Sequence, residues 1–402
     1  MTLRERAARM RLRVRNRSGA ALGGRRSASA AVLELARSGV APLAPARRAS
    51  ADDPLSVAVL IPEFRRGSGG HATIAHLLRG LRDRGHRLSL WLIESDGRHD
   101  DEPEEEVERR FAEFFALPNI DLHTDFGRWD GAEVVLATGW QTVASSLVLP
   151  GVEGRAYLVQ DHEPDFFGVS AEALWAQSSY RQGIHCIAAS PWLAALLRER
   201  YGAHASHFDL AIDHSLYRPV QAQRREDLVV FYARPTTPRR ATPLGLLALE
   251  ELARRRTRIE IVTYGEVAPV PVPFRSRHLG VLGWQQLREL YAGATLGMAL
   301  SLTNPSLVPL EMMACGLPVV ELESESNLAT FGREGPLTLA QADPLALCDA
   351  IERLLDEPER RGRLGAAGVD LVAGRSWELA AEQVEAGLRE ALMGAAPAST
   401  DG

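Results

Sequence analysis

Residues 301–321, SLTNPSLVPLEMMACGLPVVE, hold a polar turn, a short apolar helix and a buried strand in one run. The turn Thr303-Asn304-Pro305-Ser306-Leu307 leaves backbone N–H groups at a helix start, where unpaired donors and the helix dipole attract phosphate. The helix is apolar at Leu310, Met313 and Ala314, stops at Gly316 and Pro318, and feeds the strand run Leu317-Pro318-Val319-Val320. Glu311 is its conspicuous charge. It reads either as a helix-dipole residue or as a carboxylate that accepts hydrogen bonds from sugar hydroxyls.

The same alternation of strand, turn and helix extends in both directions. Upstream, strands fit 228–232, 259–264 and 296–300, with helices over 243–255 and 284–293. Earlier still, SVAVLI (56–61) is a buried-type strand, RRGSGGH (65–71) a glycine loop, 72–84 a helix with Ile74, Leu77, Leu78 and Leu81 on one face, and 86–93 a second strand. Further strands fit 133–137, 156–160 and 186–189, with helices near 171–182 and over 191–200. The fold class is therefore α/β: two Rossmann-like domains with parallel sheets, a ligand turn in each, and a cleft between them. The reading divides the chain into a basic leader (1–54), an N-terminal domain (55–220), a C-terminal domain (221–375), a closing helix (376–394) and a disordered tail (395–402).

The 402 residues include no lysine, so all 46 basic side chains are arginine. Schiff-base chemistry and Walker-type phosphate loops both need lysine and are excluded; a phosphate clamp here is made of arginine. Residues 1–50 hold twelve arginines against Glu5 and Glu34, a balance of +10, while the whole chain sums to −6. The body is thus acidic, which argues against a nucleic-acid partner. The leader reads as a plain tail or as a helix on an anionic membrane face. No apolar window is long enough to span a bilayer and no signal-peptide core is present, so the expected location is cytoplasmic, with peripheral contact at the inner membrane face as the leader's alternative. Cys186, Cys315 and Cys348 match no zinc or disulfide spacing.

Four blocks carry chemistry in order: GSGGHATIAHLLRGLRDRGHRL (67–88), VQDHEPDFF (159–167), FYARPTTPR (231–239) and RHLGVLGW (277–284), followed by the 301–321 run. Together they resemble the GT-B glycosyltransferases of family 4, over roughly residues 55–392. The resemblance implies that Arg234 and Arg239, after the strand ending at Tyr232, neutralise a departing diphosphate without a metal. It also implies that Gly280, Val281 and Leu282 receive the base and that Ser306, Leu307 and neighbouring Asn304 face phosphate. Glu311 holds the ribose, and Gly69 and Gly70 let backbone approach the diphosphate and sugar.

Two positions depart from the family pattern. Thr303 stands where the first of two glutamates is usual, and Gln160 where many relatives have histidine. These departures, with the 159–167 block, resemble the rhamnosyltransferase WsaF type, a rhamnan-synthesis branch, and point to a 6-deoxy sugar carried by dTDP-L-rhamnose.

Gln160, Asp161 and Glu163 are the catalytic candidates, Asp161 and Glu163 for hydroxyl binding or base assistance to the acceptor. A helix-capping role for these acids stands beside that reading. His71 and His162 are expected in ligand-facing loops. The expected partners are a nucleotide-sugar donor and a saccharide or lipid-linked glycan acceptor, with no further cofactor. An inactive binding subunit, a sugar-nucleotide epimerase, and a family 4 transferase using a UDP- or GDP-sugar are the alternatives. Oligomeric state is left open.

Overall fold

The computed structural model describes residues 24–45, 53–94 and 102–394. The expectations for residues 1–23 and for the 395–402 tail lie outside them. Fourteen strands are present among the described residues: β1 (Arg26–Ser27), β2 (Ser56–Pro62), β3 (Arg87–Glu94), β4 (Asp121–His123), β5 (Ala132–Ala137), β6 (Val152–Val159), β7 (His185–Ala188), β8 (Ala205–His207), β9 (Leu228–Tyr232), β10 (Glu260–Tyr264), β11 (Arg277–His278), β12 (Leu296–Met298), β13 (Val319–Leu322) and β14 (Leu337–Ala340). They pair in parallel, with helices in most of the connections, as an α/β chain requires.

The chain divides into two compact units. The first holds the described residues of Met1–Ser68, Arg82–Leu158 and Leu388–Gly402. Its strands run β1-β3-β2-β5-β6, with β4 beside β3. Residues 57–61 of β2 are each at most 2% exposed, because a strand with neighbours on both edges and cover on both faces needs a continuous apolar run. Trp91, Phe126, Val135, Leu149 and Val152 form a core on this sheet. Gly154 in β6 sits where the closing helix Trp377–Met393 ends: a Cβ there would lie 3.0 Å from Leu392 Cδ2 and 3.2 Å from the Ala391 carbonyl oxygen.

Part of the leader belongs to this unit. Arg26 and Ser27 pair with Ile93 and Glu94, and Arg25 forms an ion pair with Glu94 at 2.8 Å. The helix Ala28–Ser38 follows, its first turn capped by the Ser27 hydroxyl, which accepts from the Ala30 N–H. Ala28 and Ala31 are buried. The arginine excess of the leader hides this segment, because its inward face consists of alanines too small to make an apolar stripe stand out.

The second unit holds Gly69–Leu81 and Val159–Gly387. β7 and β8 pair within it, and the Ala189 N–H donates to the Val159 carbonyl at 2.8 Å. Its six-stranded sheet runs β11-β10-β9-β12-β13-β14. The chain lays down β9, works outward to β10 and β11, then returns to the other side of β9 for β12 to β14. The order therefore reverses between β9 and β12, and ligands of such sheets bind outside the strand carboxyl ends at that reversal. Phe231, Leu249, Leu252, Leu296, Met298, Val320, Ile351 and Leu354 fill the core. No helix among the described residues is long and apolar enough to cross a membrane.

Candidate functional site

Two of the chemical blocks of the second unit emerge at the reversal: 233–240 follows β9, and 299–306 follows β12. Ser306 occupies the cap position of the helix Leu307–Ala314, and its side chain makes no capping hydrogen bond. The N–H groups of such a first turn have no intrahelical partner. Thr303 and Asn304 are buried, 4% and 1% exposed. Their polar atoms are used inside the unit and do not face solvent.

The partner is Asp161. Its Oδ2 accepts from Thr303 Oγ1 at 3.0 Å, and its Oδ1 accepts from the Asn304 N–H at 3.0 Å and the His162 N–H at 2.9 Å. Asn304 completes the tie: its Nδ2 donates to the carbonyls of Gln160 (3.1 Å) and Ala189 (3.2 Å), and its Oδ1 accepts from Ser190 Oγ at 2.8 Å. Ser326 Oγ donates to the Thr303 carbonyl at 2.6 Å. The sequence points Asp161 at an acceptor hydroxyl. In the structure both carboxylate oxygens are engaged, so its geometry is that of an anchor.

Arg239 meets the same carboxylate, with Nε 3.1 Å from Asp161 Oδ2. Its guanidinium carbon lies 3.9 Å from the centre of the Phe166 ring. Burial pulls the guanidinium below its usual range, and the Asp161 carboxylate opposes that pull. Arg234 donates from Nη1 to Tyr232 Oη at 3.3 Å, and its N–H to Thr242 Oγ1 at 3.0 Å. Next to Arg239, Arg240 reaches Ser301 Oγ. The Ser301 N–H donates to Glu321 Oε1 at 2.9 Å, and the Leu322 N–H to the same oxygen at 2.7 Å. Glu321 is fully buried, and burial pushes its carboxyl up to about 8.

Glu311 stands one turn into its helix, partly buried. It faces the phenols of Tyr217, Tyr264 and Tyr291, themselves at most 7% exposed, with Tyr264 and Tyr291 hydroxyls 2.8 Å apart. Burial pushes its carboxyl up to about 7, and a hydrogen bond from Tyr291 offsets part of the effect. After β10, Gly265 and Gly280 both take positive φ, 109° and 71°, and the Gly265 N–H donates to the Gly280 carbonyl at 2.9 Å. Val281, 58% exposed, and Leu282 follow on this loop. Thr236 Oγ1 donates to Glu266 at 2.6 Å, joining the loop after β10 to the loop after β9.

Gly69 and Gly70 open the helix Gly69–Asp83, and Gln160 Nε2 donates to the Gly70 carbonyl at 3.2 Å. Glu163 is buried at the start of the 3₁₀ turn Glu163–Phe166, its N–H donating to Tyr180 Oη at 3.0 Å. His162 is 1% exposed, in place of the expected ligand-facing position: its Nε2 lies 2.6 Å from Tyr201 Oη and its Nδ1 2.7 Å from Asp165. Among the described residues no group of three or more His, Cys, Asp or Glu side chains is arranged to hold a metal ion.

The structure thus brings together Gln160, Asp161, Arg239, Thr303 and Asn304. Tyr232, Arg234 and the 265–282 loop border the same strand ends. Arg240, Glu321, Phe166 and, beside Glu311, Tyr217 and Tyr291 escape the sequence reading. Arg240 follows Arg239 in sequence, and a carboxylate in the strand VVEL is the one signal for Glu321. Nothing local marks Phe166.

Residues 227–352 match the family model described as WsaF, C-terminal domain. The chain is 32% identical over 276 residues to the O-antigen biosynthesis protein RfbC of Myxococcus xanthus, covering 67% of this chain and 21% of that protein. It is 32% identical over 197 residues to a D-inositol 3-phosphate glycosyltransferase of Frankia alni, covering 44% and 48%. The chain therefore spans less than half the length of either relative. Among solved structures, sucrose-phosphate synthase from Thermosynechococcus elongatus aligns with a TM-score of 0.65 at 17% identity, over 85% of this chain and 99% of that one. HepE from Anabaena, solved with UDP and glucose, aligns at 0.63 and 14%, over 84% and 99%. These two share the GT-B fold.

Proposed function

We propose that this chain, which has the GT-B fold and carries a WsaF-type C-terminal domain over residues 227–352, is a glycosyltransferase of glycan assembly that uses a nucleoside-diphosphate sugar. The observation that carries the reading is Arg239, tied through Asp161 to the turn Thr303–Asn304 just ahead of an uncapped helix start. A cation and a row of N–H donors at the end of adjacent strands suit a diphosphate. The matched relatives are an O-antigen biosynthesis protein and a glycosyltransferase, and a matched structure holds UDP.

In this proposal Arg234 and Arg239 take the charge that develops on the diphosphate as the bond from the anomeric carbon to phosphate oxygen breaks. The N–H groups of Ser306 and Leu307 hold phosphate, Glu311 the ribose hydroxyls, and Gly280 to Leu282 the base edge. Gly69, Gly70 and Gln160 face the sugar. The acceptor oxygen, from a saccharide or a lipid-linked glycan, bonds to the anomeric carbon and loses its proton. The arginines make a metal unnecessary. Thr303 in place of a glutamate favours a 6-deoxy sugar, so the donor proposed is dTDP-L-rhamnose. Asp161 acts by holding Thr303, Asn304 and Arg239, and Glu163 by fixing its own turn.

The test is release of nucleoside diphosphate from dTDP-L-rhamnose, UDP-glucose and GDP-mannose, with and without a rhamnose-bearing acceptor, beside thermal shifts with dTDP, UDP and GDP. Acceptor-dependent release of dTDP supports the full reading. Faster turnover of UDP-glucose or GDP-mannose keeps the transferase and removes rhamnose. The engagement of both Asp161 oxygens also suits an inactive nucleotide-sugar-binding subunit, and that reading gains if dTDP binds but no product forms.

A further inference from the structure

We infer that Phe166 is a positioning residue for the phosphate cation: its ring and the Asp161 carboxylate together hold the Arg239 guanidinium in one orientation before any ligand arrives. This rests on the diphosphate-binding reading above and goes beyond it by naming what prepares the cation. The geometry has two parts. Phe166 supports the flat face of the guanidinium, whose central carbon is 3.9 Å from the ring centre. Asp161 supplies the counter-charge at the inner edge, its Oδ2 3.1 Å from Nε as an ion pair without hydrogen-bond alignment. The outer edge, Nη1 and Nη2, makes no protein hydrogen bond among the described residues, and the side chain is 26% exposed. An arginine fixed at its face and its inner edge presents the two outer nitrogens, the pair that binds an oxyanion bidentately.

An unheld arginine loses rotamer entropy when it closes on a ligand. Here that loss is met in folding, which raises ligand affinity by preorganisation. The support of Phe166 is itself built into the unit. The 3₁₀ turn that carries it starts from His162, whose ring is held between Tyr201 Oη and Asp165, and from the Glu163 N–H, which donates to Tyr180. Burial and the Glu163 carboxylate hold the Tyr180 phenol protonated. The ring of Phe166 is partly buried.

The experiment is a double-mutant cycle on the full chain, with dTDP and UDP as probes in calorimetric titration. Phe166→Leu is expected to weaken the tighter-binding diphosphate about tenfold, the scale of a partly desolvated cation–π contact, with an unchanged melting temperature. Phe166→Tyr, which keeps an aromatic face, is expected to restore wild-type affinity. In an Arg239→Leu background Phe166→Leu is expected to have no further effect. Wild-type affinity in Phe166→Leu, losses that add in the double variant, or a failure of Phe166→Tyr to rescue overturns the inference. Glu311→Ala separates this from the parent reading. If wild-type protein binds neither diphosphate, or Glu311→Ala leaves binding untouched, nucleotide binding at this site fails, and the role of Phe166 falls with it.

Discussion

Thr303 Oγ1 donates to Asp161 Oδ2 at 3.0 Å across 142 positions of sequence. The same carboxylate accepts two backbone N–H groups and pairs with Arg239, so one buried side chain holds three segments of the second unit. Removing it leaves a half-buried cation without its counter-charge and the Asn304 N–H without its acceptor. Asp161→Ala is expected to lower stability by about 3 kcal/mol, measured by urea unfolding. Asp161→Asn keeps an acceptor oxygen and is expected to lose less. An alanine variant as stable as wild type contradicts the anchor.

Glu321 predicts an alkaline weakness. Its carboxyl is pushed up to about 8 from an ordinary 4.5. Between these values the folded chain keeps a proton that the unfolded chain releases, so stability from this group is complete below about 4.5 and is lost as pH rises through about 8. Glu321→Gln mimics the protonated form and can still accept from Ser301 and Leu322. It should match wild type at acidic pH and melt a few degrees higher at alkaline pH, by calorimetry across that range. Equal melting temperatures under alkaline conditions would count against a buried proton.

Glu311 predicts pH-dependent nucleotide binding. The carboxylate form is the better acceptor for ribose hydroxyls, and burial places its titration near 7. Affinity for dTDP or UDP is therefore expected to rise as pH passes upward through neutrality and to level off above it. Glu311→Gln, without a proton to lose, should bind several-fold more weakly on the alkaline side and show a flatter profile. Titration calorimetry in buffers of different ionisation enthalpy checks both the affinity and the proton released.

Gly265 predicts a local steric failure. Its φ of 109° suits glycine, and a Cβ there would stand 2.6 Å from the Tyr232 ring. Gly265→Ala is expected to cost about 1–3 kcal/mol and to displace Tyr232, the hydrogen-bond partner of Arg234. The readout is a lower melting temperature together with weaker diphosphate binding. An alanine variant unchanged in both contradicts the close approach.

The sheets were legible because buried parallel strands read as unbroken apolar runs, and SVAVLI and LVVFY are unbroken. β12 ends at Met298, earlier than the 296–300 run suggests, because Ala299 and Leu300 remain apolar after the ladder with β9 has ended. The helix Trp140–Val148 was masked by its start, GWQT, which reads as a loop at a strand end. Glu311 stood out as a charge in an apolar helix, and Arg239 by its place in a block that resembles family 4. What periodicity cannot carry is a meeting of distant side chains: nothing in VQDHEPDFF says that Asp161 turns toward Thr303, or that Phe166 lies under Arg239.

The reversal of strand order between β9 and β12 puts the arginine block and the 303–306 turn on loops from neighbouring strands, while their common anchor comes from after β6. A lineage that exchanges the turn to accept another sugar therefore inherits a mismatch unless residue 161 changes with it. Positions 161 and 303 are expected to travel as a pair among descendants of this chain, and a grafted turn to work only when both are transplanted.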